Sequence, residues 1–203
     1  MRNSTLAVTA AVLAVTISGC NRKAESEAPA PVAVEAAAAA PQTTEPTLVV
    51  ADGFHHQAGL DASGYYLSPE PIRIGNFELS HLGVGAPSDF QTWEKGDHGS
   101  TFGPILIEFS DTTSPKASNE MGGGNPSVTL RVLPEAYSFN AGKLTFRGRN
   151  AKLGEVVFSG TFDQAALARA RSEGSGQDTV LKGELKVGNQ PVQPVSLFYW
   201  AGD

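Results

Sequence analysis

The chain has 203 residues, a formal net charge of -6 and one cysteine. The acidic balance excludes the basic excess from which nucleic-acid binders draw most of their affinity. A lone Cys excludes an intramolecular disulfide and a thiolate metal cluster, while the 22 Gly and 13 Pro imply many turns, and so β structure over long helices.

The first segment reads as an export signal. Arg2 supplies a charged start, and an apolar run follows from Leu6 to Ile17. The run is shorter than the roughly 20 residues that a membrane-spanning helix needs, and it fits the apolar region of a signal peptide. It ends in Ile17-Ser18-Gly19-Cys20, an aliphatic residue, two small residues and a Cys. This tetrapeptide resembles the lipobox of bacterial lipoproteins. The resemblance implies that residues 1–19 are a cleaved signal peptide. It further implies that Cys20 is lipidated by diacylglyceryl and N-linked acyl chains such as palmitate, and becomes the mature N-terminus. Several acyl chains anchor stably, since each buried CH₂ contributes roughly 0.8 kcal/mol. The next residue is Asn21 and not the Asp that retains such proteins in the inner membrane. The resemblance therefore implies a cell outer membrane protein, lipid-anchored and facing the periplasm.

Residues 20–46 hold the lipidated Cys and then a linker. The stretch from Ala28 to Pro46 is mostly Ala, Pro, Val, Gln, Thr and Glu. Nothing in it would bury a core, so the expectation is disorder. As a coil the linker reaches on the order of 30 Å, and about 80 Å if fully extended as polyproline.

Residues 47–203 form the expected periplasmic domain. Short runs alternate apolar and polar residues at a period of two. Ile105, Ile107 and Phe109 share one face, as do Val128, Leu130 and Val132, then Leu144 and Phe146, then Val156, Phe158 and Phe162. Leu181, Leu185 and Val187 follow, and Val195, Leu197 and Tyr199 close the series. One apolar and one polar face indicate antiparallel sheet with one side wet. The fold class is mainly β, an antiparallel β-sandwich or half-open barrel with one short helix. That helix is expected over about 164–171, with Asp163 as its cap, Arg169 and Arg171 near its end and Gly174 as its stop. Two long loops are expected, Pro87 to Gly103 and Asp111 to Asn125. The strand pattern and the Gly202-Asp203 ending resemble those of uncharacterised envelope lipoproteins, a resemblance that carries no activity.

Fixed-spacing catalytic motifs are absent from the sequence: no G-x-S-x-G, S-x-x-K or H-E-x-x-H occurs. Gly122-Gly123-Gly124 leads into Asn125-Pro126 and not into a phosphate-binding loop. No cofactor is expected. The polar residues of the first long loop, Trp93, Glu94, Asp97 and His98, are the candidate binding site. Glu94 and Asp97 would also serve as the acid and base of a glycan hydrolase. His55, His56 and His98, with His81 after a strand, are the candidate metal ligands, although adjacent His55 and His56 would face opposite sides of a strand. Tyr65-Tyr66 and Phe198-Tyr199-Trp200 offer rings for sugar stacking, but the core claims most of them. Lys143, Arg147, Arg149, Lys182 and Lys186 share one wet face, diluted by Glu155 and Glu184. The expectation is a non-catalytic binding module with an envelope protein or glycan as partner and no nucleic acid. The rivals are a glycan hydrolase using Glu94 and Asp97, and a metal-binding lipoprotein.

Overall fold

Period-two alternation places successive side chains on opposite sides of a strand, and the chain uses it to line a single curled sheet. The computed structural model describes residues 48–118 and 124–202. The lipobox with Cys20 and the expected linker lie outside the described residues, as do Gly122 and Gly123 of the second expected loop. The strands are β1 Phe54–His56, β2 Gly64–Leu67, β3 Arg73–Ile74, β4 Phe77–Val84, β5 Ile105–Asp111, β6 Lys116–Ser118 and β7 Gly124–Pro126. After them come β8 Thr129–Val132, β9 Pro134–Asn140, β10 Lys143–Asn150, β11 Gly154–Phe162, β12 Ser175–Val187 and β13 Gln193–Trp200. Helix α1, Pro87–Glu94, lies between β4 and β5, and α2, Gln164–Glu173, between β11 and β12.

Eleven strands make one sheet in the order β1-β9-β10-β11-β12-β13-β2-β4-β5-β8, with β3 on β4. The β6 and β7 strands pair separately as a hairpin. Of the two architectures expected, the chain adopts the half-open barrel. Leu133 alone separates β8 from β9. One run of chain, residues 129–140, therefore pairs with β5 through its first half and with β10 through its second. That sharing curls the sheet. Asn150 Nδ2 donates to the Arg131 carbonyl across the seam at 3.2 Å. The sheet is mixed and not purely antiparallel, because β1 runs parallel to β9.

The concave side is the core. Tyr66, Leu82, Ile105, Ile107, Phe109, Tyr137, Phe139, Leu144, Phe146, Phe158, Leu181 and Leu197 are each at most 1% exposed. The faces read from the sequence at 105–109, 144–146, 156–162, 181–187 and 195–199 all point inward. Tight curvature is eased where Gly160 pairs with Gly183 across β11 and β12. A Cβ on Gly160 would fall 2.6 Å from the Phe158 ring, so the glycine gives that ring its bed. The β9–β10 hairpin turns on Ala141 (φ 46°) and Gly142 (φ 76°), both in the left-handed region that a two-residue turn between twisted strands requires.

Helix α2 forms as read, two residues longer than expected. Asp163 Oδ1 accepts from the Ala166 amide at 2.9 Å, and Gly174 ends the helix in the left-handed conformation at φ 79°. Its Ala166, Leu167 and Ala170 are buried in the core. The segment expected as the first long loop holds a second helix instead, so two helices stand where one was expected. Pro87 occupies the first turn of α1, where its missing N–H matters least. Asp89 Oδ2 accepts from the Ala86 amide at 2.8 Å. Phe90 and Trp93, three apart, fall on one face and are buried. The second expected loop contains β6 and the start of β7.

Candidate functional site

A cleft of about 810 Å³ opens on the convex, wet side of β2, β4, β5 and β8. Alternation builds it. Tyr66 and Tyr199 point into the core at 0% and 6% exposure, so their chain neighbours Tyr65 and Trp200 point out at 40% and 36%. Strand register then sets Tyr65 opposite Trp200 on β2 and β13, with ring centroids 5.7 Å apart. On the other side of Tyr65 the His81 ring meets it edge-on at 5.1 Å. His81 lies within β4, not after a strand, and stands opposite Glu108 of β5, which stands opposite Arg131 of β8. Arg131 Nε donates to Glu108 Oε2 at 2.7 Å. The segment between α1 and β5 brings Phe102 to the same place, with the Arg131 guanidinium 4.7 Å from its ring centre.

Gly83 faces Tyr65 on β2 and Leu106 on β5 and forms part of the cleft lining. A Cβ there would meet nothing closer than 3.7 Å, and the backbone does not require glycine. The missing side chain therefore serves neither turn nor packing; it leaves the cleft open. Burial lowers the proton affinity of His81, with Glu108 opposing and Arg131 reinforcing the shift. Asp89 and Asp97 contribute further carboxylates to the wall.

The residues expected to form the site are brought together only in part: Trp93 and Asp97 line the cleft and His98 stacks on Trp93, whereas Glu94 lies outside the lining. Trp93 is 5% exposed and belongs to the core: its ring stacks on His98 at 4.3 Å and meets Phe54 edge-on at 6.3 Å. Only one wall of the cleft touches it. The Trp93 Nε1–H has no acceptor among the described residues. Glu94 ends α1 and accepts a hydrogen bond from the Tyr137 hydroxyl at 3.2 Å. Asp97 is exposed and lines the cleft, whereas Glu94 does not. His98 Nε2 lies 2.9 Å from the Trp93 carbonyl. His56 stacks on Phe90 at 4.1 Å with its Nε2 2.8 Å from the Leu60 carbonyl, and His55 points to solvent. Among the described residues, no three His, Cys, Asp or Glu side chains gather as a metal site. None of those residues lies in a helix long and apolar enough to cross a membrane.

No family model, curated protein or solved structure matches the chain. The cleft must therefore be read from its own residues. Part of it was visible in the sequence, as the Tyr-Tyr and Phe-Tyr-Trp runs and His81, whereas Phe102, Glu108 and Arg131 were not singled out. The meeting of these residues was not visible, because it depends on pairing strands from opposite ends of the domain.

The basic face assembles as read from the sequence. Lys143, Thr161 and Lys182 stand in one row across β10, β11 and β12, and Arg147, Val157 and Lys186 in another. Glu135 lies within 3.7 Å of Arg147 and 3.8 Å of Arg149, and Glu155 within 3.5 Å of Arg149. These pairings at the surface neutralise part of the stripe.

Proposed function

We propose that the chain is a non-catalytic binding module of the bacterial envelope, tethered to the outer membrane through lipid on Cys20 and engaging an envelope component in the convex cleft. The observation that carries the reading is the gathering of exposed Tyr65 and Phe102 around an open floor at Gly83 and a fixed Arg131–Glu108 pair, with Trp200 beside Tyr65 just outside the lining. Large exposed rings grouped at one place are the usual mark of a recognition surface. The polar groups beside them fix orientation, as in small-molecule sites generally.

The test compares the wild-type full chain with Tyr65→Ala and Gly83→Ala as baits in envelope extracts. The wild type retains a defined component, and both variants retain less of it. Equal retention by all three would remove the cleft from the function. Glu94 and Asp97 carry no comparable support as a catalytic pair, because only Asp97 faces the cleft and Glu94 is bonded to Tyr137.

A further inference from the structure

We infer that the cleft takes a sugar chain of neutral or amine-bearing residues, a hydroxyl-rich ligand and not a phosphate, sulfate or nucleic acid. This deepens the binding-module reading and rests on it. Three features carry the choice. The first is the aromatic rim. Tyr65 and Trp200 are tilted by 46° and lie side by side, and His81 pins the Tyr65 ring from its other side at 80°. A pyranose presents a face of C–H bonds that packs on such a ring, and successive sugars would meet successive rings.

The second is the polar wall. Arg131 and Glu108 are planar groups locked together at 2.7 Å, with donors and acceptors left over on both. Vicinal hydroxyls of a sugar donate and accept at once, so they match a paired carboxylate and guanidinium that an anion would not. The third is charge. Asp89, Asp97 and Glu108 line the cleft, and Arg131, already bonded to Glu108, is the one Lys or Arg side chain lining it among the described residues. A phosphate or sulfate site needs unpaired cations, and here an anion would meet uncompensated carboxylates. The volume of about 810 Å³ lies within the range of about 300–1,000 Å³ common to small-molecule sites.

Intrinsic fluorescence reads the test directly, because the chain has two Trp residues, Trp93 in the cleft wall and Trp200 beside Tyr65. The full chain is titrated with a neutral glucan oligosaccharide, an N-acetylglucosamine oligosaccharide, its deacetylated amine form, a sulfated polysaccharide and a lysine-rich peptide. The proposal expects saturable changes in tryptophan emission with at least one of the three unsulfated glycans. Tyr65→Ala weakens that binding about tenfold, and Gly83→Ala also weakens it by about tenfold while leaving thermal stability unchanged or higher. Calorimetry with Trp200→Phe checks that the ring, not the reporter, carries the binding. Tighter binding of the sulfated polymer would overturn the charge argument and with it the ligand class. Binding of the lysine-rich peptide alone, lost in Tyr65→Ala, would overturn the sugar assignment while leaving the cleft a binding site. No saturable binding of any glycan would overturn the sugar assignment too. If envelope retention were then also insensitive to Tyr65→Ala and Gly83→Ala, the binding-module reading would fall with it.

Discussion

Ala141 holds φ at 46° in a turn position that favours Gly or Asn. An L-residue with a Cβ pays roughly 1 kcal/mol or more in that conformation. Ala141→Gly or Ala141→Asn should therefore raise the unfolding free energy by about 1 kcal/mol, read from a urea midpoint that moves up with an unchanged slope. A second residue-scale device joins the segment before β2 to α2. Arg171 donates to the Asp61 carboxylate at 2.9 Å and to the Asp61 carbonyl at 2.9 Å. Partial burial pushes the Asp61 carboxyl up, but hydrogen bonds from Arg171 and Ser63 outweigh it and hold it at about 2. A depressed carboxyl stabilises the fold above its unfolded value of 3.8 and loses that contribution as pH falls through about 2. Both partners are about one-third exposed or more, so the pair contributes only on the order of 1 kcal/mol. Acid titration of stability should show that component in the wild type between pH 4 and pH 2, and Asp61→Asn should lack it.

At the scale of elements, the two helices differ in how well the sequence announces them. For α2 the signals are all local: an Asp cap, a run of Ala and Leu, Arg near the end and a Gly stop. Asp163→Ala should lower stability by about 1 kcal/mol, measurable by thermal denaturation. For α1 the signals are equally physical but shorter: Pro87 in the first turn, Asp89 bonded back to Ala86, and two aromatics three apart. Ser88, Asp89, Gln91 and Thr92 surround those aromatics and give the segment the polar look of a loop. Phe90 packs on His56, Tyr137 and Phe139, bracing α1 against β1 and β9. Phe90→Ala should lose about 3–5 kcal/mol in equilibrium unfolding. Strand faces were legible because alternation is a property of neighbours in sequence. The cleft was not, because Tyr65 meets Trp200, and Glu108 meets Arg131, only through register between separate strands.

For the whole molecule, the described residues hold one core on the concave side of one sheet, and the convex side carries the cleft. Far-UV circular dichroism of the chain should be dominated by strand, and unfolding should be insensitive to reducing agent, since one cysteine forms no internal bridge. If Cys20 carries the anchor, Cys20→Ala should move the protein from the membrane fraction to the soluble periplasmic one. Retention of the variant in the outer membrane after a high-salt wash would refute the tether. The position of β13 has a further consequence in time. Residues 193–200 do not lie at an edge; they sit between β12 and β2, joining the strands that precede them to those made first. Until those residues are available, β2 and β12 have open edges and the curled sheet has no means of closing. Contacts so distant in sequence also form slowly. A chain built this way completes its sheet only once residues 193–200 are present, so a chain cut before Gln193 should lose cooperative unfolding.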